Sequence, residues 1–199
     1  GRQEYLESII KSHRAAIDII LENPSCKPPL AALLDSLPPL APRMYSISSS
    51  PQAAPGADKA DVAFTAVEYK TVSGETRKGV ATWWLEGKAL RGTGGEVPKI
   101  PLFLRRGGSF SPPASLEVPW IMIGPGTGVS PFRGFLQHRR AALAATKAGD
   151  TADCWLFFGC RDKTKDYLYG EELEAFAEDG TLTKLCVAES RKDPDSKVY

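Results

Sequence analysis

The chain is expected to join two fold classes in series. An α+β part, with a helical segment and part of an antiparallel β-barrel, comes first; an α/β part on a Rossmann-like parallel sheet follows. Three observations predict this. Apolar residues at helical spacing (Leu6, Ile9, Ile10, Ile17, Ile20, Leu21) open the chain between charged positions. From Arg43 the texture changes to short apolar runs broken by Gly, Pro and Ser, the pattern of strands with frequent turns. After Pro119, strand-like and helix-like stretches alternate, which lays helices over a parallel sheet with its ligand sites at the strands' carboxyl ends.

Taken in order, the first helix is expected over about residues 3–21, ending before Asn23-Pro24, and a second over about 29–37, closed by Pro38-Pro39. Both read as a packing layer without chemistry. Strands are expected at Met44–Ser48, Val62–Tyr69 and Ile100–Leu104, too few to close a barrel, with a short helix over Trp83–Leu90 and a connector at Ser109–Val118 around Pro112-Pro113. The last part reads strand Trp120–Ile123, helix Pro131–Ala145, strand Trp155–Phe158, helix Tyr169–Asp179, strand Leu182–Ala188.

A length of 199 residues with 42% hydrophobic content is enough for the core of one or two domains. The net charge of +1 lacks the basic excess of a nucleic-acid surface, so no nucleic-acid partner is expected. Cys26, Cys154, Cys160 and Cys186 form no C-x-x-C pair, and only His13 and His138 accompany them. No metal site is expected, and free thiols fit a reducing, cytoplasmic setting. Apolar runs such as Pro119–Ile123 and Trp155–Phe158 are too short to span a bilayer, so no membrane segment is expected. Because it opens on Gly1 rather than Met and stops at Tyr199 inside a motif, the chain is expected to be a fragment.

Chemistry gathers at the strand ends. Gly124-Pro125-Gly126-Thr127-Gly128 removes Cβ atoms where a phosphate would approach backbone N–H groups, and Thr127 adds a hydroxyl. The spacing is neither G-x-G-x-x-G nor a P-loop, so a tight turn without a ligand stays open as the other reading. Arg43-Met44-Tyr45-Ser46 offers a cation, a ring and a hydroxyl in four residues, the equipment for a flat phosphorylated cofactor; a strand with a core tyrosine and a serine turn fits equally. Gly79-Val80-Ala81-Thr82 favours the cofactor, since these residues lead into a helix whose first N–H groups could hold a diphosphate. Cys160 reads as an inert small core residue, the alternative being the lining of a nicotinamide path.

These motifs, in this order, resemble the FAD/NADPH reductase half of the diflavin reductases. The likeness rests on Arg-x-Tyr-Ser at 43–46, Gly-Val-Ala-Thr at 79–82, Gly-Pro-Gly-Thr-Gly at 124–128, Gly-Cys-Arg at 159–161, and Ser190-Arg191 with Lys197-x-Tyr199. Phe135-Leu136-Gln137-His138-Arg139 and the run Trp155–Arg161 are similar to the methionine synthase reductase branch, with the cytochrome P450 reductase branch alike over the same stretch. The resemblance implies a helical connecting segment at 1–40, a partial FAD-binding barrel at 41–117 and a C-terminally truncated NADP-binding domain at 118–199. It implies FAD held by Arg43, Met44, Tyr45 and Ser46 and by Gly79, Val80, Ala81 and Thr82, with Ser46 catalytic near the flavin N5. Thr127 and Arg161 would face NADPH, and Ser190, Arg191, Lys197 and Tyr199 its 2′-phosphate and adenine. Hydride would pass from NADPH to FAD, and electrons onward to an FMN-binding domain of the same protein outside this chain. The final acceptor implied is a protein, methionine synthase or a haem protein. Trp83 departs from the small or polar residue frequent there in the family.

Overall fold

The computed structural model describes residues 1–56, 58–71, 74–91, 97–146 and 151–192. The chain forms two compact units, one of residues 1–44 and 65–100, the other of 45–64 and 101–199.

In the first unit the expected opening helix is two. Helix α1 (Arg2–Tyr5) runs on as a wider π-helical turn, Leu6–Lys11, and α2 spans Ala16–Glu22. The break has a local cause. The Ser12 hydroxyl turns back onto the carbonyls of Ser8 and Ile9, and His13 takes a left-handed φ of 53°. Asp18 then starts α2 by accepting the Ala15 N–H at 2.7 Å. The expected packing layer is not realised within the unit: Ile10 and Ile17 are exposed, as is Leu21, because the unit's sheet is too small to cover them. Helix α3 follows at Leu30–Ser36, matching the expected second helix.

Strand β1 (Glu68–Lys70) pairs antiparallel with β2 (Thr76–Lys78), Tyr69 opposite Arg77. Arg77 reaches Asp18 of α2 through both guanidinium ends, one at 2.7 Å, and the His13 and Tyr69 rings lie 4.9 Å apart. Sequence reading missed β2, and the other barrel strands shrink. Of Met44–Ser48 and the front of Val62–Tyr69 only the bridge Ile47–Val62 forms, and Ile100–Leu104 is irregular. A strand exists only with a partner for its N–H and C=O groups, and these runs find few. Helix α4 spans Val80–Arg91, starting earlier than expected, so Val80, Ala81 and Thr82 are its first turn.

The second unit holds the parallel sheet, in the order β3 (Trp120–Pro125), β4 (Cys154–Cys160), β5 (Lys184–Glu189). Trp120 is level with Cys154, Pro125 with Gly159 and Cys160 with Glu189. Gly126–Val129 makes a 3₁₀ turn into α5 (Ser130–Ala145); α6 (Lys163–Asp166) and α7 (Gly170–Glu178) lie between β4 and β5. Alternation along β3 and β4 selects one face for burial. Trp120, Met122, Cys154, Leu156, Phe158 and Cys160 form the core with Leu136 of α5 and Leu173 and Phe176 of α7. Ile121 and Ile123 point to the opposite face and are exposed. The expected connector at 109–118 has no regular structure but docks through Phe110, whose ring lies 5.9 Å from Phe132 and 5.4 Å from Phe135.

A polar clasp fixes the segment Tyr45–Phe64 onto this sheet domain. Arg133, in the second turn of α5, donates to Glu172 at 2.5 Å, to Asp61 at 2.9 Å and to the Ser48 carbonyl at 3.1 Å, and stands 4.6 Å above the Tyr169 ring. Tyr169 donates to the fully buried Ser48 hydroxyl at 3.1 Å. Gln137 accepts the Ser50 N–H at 2.9 Å and donates to Glu172 at 2.6 Å. Backbone seats on backbone here: a Cβ on Gly134 would lie 3.3 Å from the Ser49 carbonyl. Truncating one partner of such a shielded charge cluster costs about 3 kcal/mol. Arg133→Ala in the full-length protein should therefore lower the unfolding free energy of this domain, extrapolated from urea titration, by that order, with Arg133→Lys recovering only part of it.

Candidate functional site

The expected cofactor residues divide between the two units. Arg43, Met44 and Gly79–Thr82 belong to the first; Tyr45, Ser46, Thr127, Arg161, Ser190 and Arg191 belong to the second. Lys197 and Tyr199 lie outside the described residues.

In the first unit, Gly79 is packed so closely that a Cβ would fall 2.8 Å from the Thr82 hydroxyl and 2.9 Å from Val67 Cβ. Its N–H donates to the Val67 carbonyl at 2.7 Å, and its carbonyl accepts from Trp83, the first bond of α4. Thr82 is buried, its hydroxyl taking the Val67 N–H at 3.1 Å and donating to Gly79 at 3.3 Å. Thr82 could thus meet an anion through its backbone N–H, with Val80 and Ala81 beside it as the unpaired donors that open any helix. Trp83 is exposed rather than packed. Arg43 is exposed, its guanidinium folded back onto the Ala41 carbonyl. Met44 is exposed as well.

In the second unit the Tyr45 ring meets Phe64 edge-on at 6.2 Å, half-buried. Tyr45 thus has an apolar ring neighbour while staying partly accessible. Ser46 is exposed, and its hydroxyl has no hydrogen bond among the described residues.

The strand ends bring the remaining residues together. Beyond the last sheet pair the ladder continues irregularly: Ser190 N–H donates to the Cys160 carbonyl at 2.9 Å, and Arg191 N–H to the Arg161 carbonyl at 2.9 Å. Arg161, Ser190 and Arg191 thereby share the carboxyl edge of the sheet, with Thr127 exposed in the turn after β3 on the same edge. Two of the three glycines in that turn serve the turn itself. A Cβ on Gly124 would strike the Gly128 carbonyl oxygen at 2.8 Å, and Gly126 adopts a φ of 55°.

Three carboxylates that sequence reading passed over organise this edge. Asp166 accepts the N–H groups of Arg161 and Asp162 on one oxygen, each at 3.0 Å, and Arg161 Nε on the other at 2.7 Å. Asp162 caps α6, taking the Thr164 hydroxyl at 2.6 Å and N–H at 2.9 Å. Glu189 accepts the Lys163 N–H at 3.1 Å and Lys192 Nζ at 3.2 Å. The cap was readable as Asp two residues before Thr; the other two pairings depend on the fold. Cys160 is buried at the end of β4 and burial raises its thiol pKa, so it stays a thiol.

Residues 1–84 match the FAD binding domain family, and residues 122–199 the oxidoreductase NAD-binding domain family. The whole chain aligns with NADPH–cytochrome P450 reductase of Sus scrofa at 41% identity, of Homo sapiens at 40% and of Musca domestica at 42%. Along its whole length the chain is similar to these diflavin reductases. It covers 28% of the length of each of these relatives. Within it an FAD-binding part precedes a nicotinamide-dinucleotide-binding part whose sheet edge carries the cations described above.

The Thr164 hydroxyl and N–H hold the Asp162 carboxyl down to about 2; Asp166 is lowered by its bond to Arg161, and Glu189 by the Lys163 N–H. A depressed pKa lends stability that is fully present above the unfolded value of about 4 and is lost as pH falls through the folded value. Carboxyl NMR titration should place the Asp162 midpoint near 2 and both others below their ordinary values, so this edge should keep constant charge from pH 5 to 8.

Proposed function

We propose that this chain is the NADPH-oxidising, FAD-carrying part of a flavoprotein reductase, divided at 1–40, 41–117 and 118–199 into connector, FAD part and NADP part. The observation that carries the reading is the gathering of Thr127, Arg161, Ser190 and Arg191 on one sheet edge of a domain in the nicotinamide-dinucleotide-binding family, preceded in the same chain by an FAD-binding match. The chemistry bound FAD supplies is acceptance of a hydride from NADPH and release of its two electrons one at a time, with the proton lost to solvent.

The chain's own residues bind and orient. The open donors of Val80, Ala81 and Thr82 hold the FAD diphosphate, and Arg43, whose guanidinium meets only the Ala41 carbonyl among the described residues, neutralises it. Met44 contributes its backbone and Tyr45 its accessible ring. Ser46 presents an uncommitted hydroxyl to flavin N5 and stabilises charge there by donating a hydrogen bond. Thr127 and Arg161 hold the NADPH pyrophosphate, and Ser190 and Arg191, with Lys197 and Tyr199, take the 2′-phosphate and adenine.

Electrons then leave through an FMN domain of the same protein to a protein acceptor on the cytoplasmic side of the cell. A haem protein is the first reading, supported by relatives named for cytochrome P450 at 40–42% identity. Methionine synthase is the second, supported by Phe135–Arg139 and Trp155–Arg161. Reduction of a cytochrome P450 by the full-length protein, set against reactivation of methionine synthase, separates them.

Arg191→Ala in the full-length enzyme should raise KM for NADPH roughly 10- to 100-fold, the worth of a charge-assisted hydrogen bond, and KM for NADH far less. Equal losses for both would remove Arg191 from the 2′-phosphate. Ser46→Ala should slow stopped-flow flavin reduction at saturating NADPH while leaving FAD content unchanged. A wild-type rate constant in that variant would return Ser46 to a structural role.

A further inference from the structure

Arg161 is an expected dinucleotide residue whose side chain and main chain are both held by one carboxylate, Asp166, to which neither the sequence nor the family match assigns a part. We propose that Asp166 is a positioning residue for the nicotinamide dinucleotide, acting through Arg161; the inference rests on Arg161 meeting NADPH.

Arg161 is fixed at three points. Its N–H and Nε go to the two oxygens of Asp166 at 3.0 and 2.7 Å, and its carbonyl accepts Arg191 N–H at 2.9 Å. The anchor and the tip differ in exposure, Asp166 keeping 23% of its side chain accessible and Arg161 60%. Engaging Nε leaves the two terminal nitrogens as the open edge of the guanidinium, and that edge makes parallel bonds to two phosphate oxygens. An arginine on an exposed turn otherwise loses rotamer freedom when it meets a ligand; here Asp166 has restricted it at folding, so less is lost on binding.

The neighbouring charges do not duplicate the task. Asp162 is committed to Thr164 and Lys165, the latter at 3.1 Å, and Glu189 to Lys163 N–H and Lys192. A rival role exists, because Asp166 also accepts the Asp162 N–H and so helps close the turn into α6. The two roles separate in a double-mutant cycle. A turn-closing aspartate matters whether or not residue 161 carries a guanidinium; a positioning aspartate matters only when it does.

The test is calorimetric binding of NADP⁺ to the full-length holoprotein in four forms: wild type, Asp166→Asn, Arg161→Ala and the double variant, with thermal unfolding of each. Asparagine keeps the acceptor for the turn and removes the charge, so folding is preserved. Asp166→Asn should weaken NADP⁺ roughly three- to tenfold in the wild-type background and leave the Arg161→Ala protein unchanged. Equal weakening in both backgrounds would overturn the proposal in favour of turn closure. No effect of Asp166→Asn beside a loss in Arg161→Ala would overturn it while sparing the dinucleotide role of Arg161. Unchanged binding in Arg161→Ala would remove Arg161 from the site, and the proposal with it.

Discussion

The second unit depends on Arg133. A segment of twenty residues, 45–64, with a single strand bridge of its own, has almost no backbone ladder to hold it; what fixes it is one guanidinium shared among Glu172, Asp61, the Ser48 carbonyl and the face of Tyr169. The pairing partners of Arg133 come from three separate stretches of chain, so their geometry is cooperative: each carboxylate keeps the arginine in place for the other. Tyr169 accepts a left-handed φ of 58° to serve it, a conformation that only surrounding packing sustains in a non-glycine residue. The consequence reaches the chemistry, because Ser46 is two residues from the clasped Ser48. The residue expected beside a flavin is tied to α5, the helix that begins directly after the glycine turn of the sheet edge.

Charge at that edge shows why the overall balance of +1 is uninformative. Arg161 and Lys192 each have a carboxylate partner, as do the N–H groups at the start of α6, and these carboxylates titrate far below neutrality. An acidic residue beside an expected phosphate site looks like a contradiction when read from sequence. In the structure each one aims a cation or caps a helix, and the cations keep exposed edges. Exposed pairs of this kind add little to stability, so their effect is on geometry.

The α/β part was legible because its signals are local. A continuous short apolar run in Cys154–Cys160, helical periodicity in Ser130–Ala145 and turn residues between them specify type and order without knowledge of partners. The barrel part was legible only in outline. Ile47 and Val62 pair across a loop while Ile100–Leu104, which carries Pro101 and so lacks one ladder N–H, pairs with nothing described. The opening helix differs for another reason: its apolar stripe resumes at Ile17, seven residues after Ile10 and so still in helical phase, while hydroxyl back-bonding and the left-handed His13 break the backbone between them. At the site, the residue types at the strand ends were visible and their supports were not. Arg133 bonds Asp61 across 72 positions and Ser48 across 85, separations that carry no periodic signal.

The three glycines of the turn after β3 answer differently to the demands of the backbone. Gly124 has to be glycine because the turn folds back onto it, and Gly126 because its φ is positive; a turn without a ligand needs both. Gly128 is different. A Cβ there would meet nothing nearer than Pro125 Cδ at 3.7 Å, an ordinary contact, and its φ lies outside the left-handed region. Folding alone would accept alanine at 128, with less backbone freedom to lose. What the missing methyl does leave is open backbone beside the exposed Thr127 hydroxyl on the cation-bearing edge, room that the turn itself does not require.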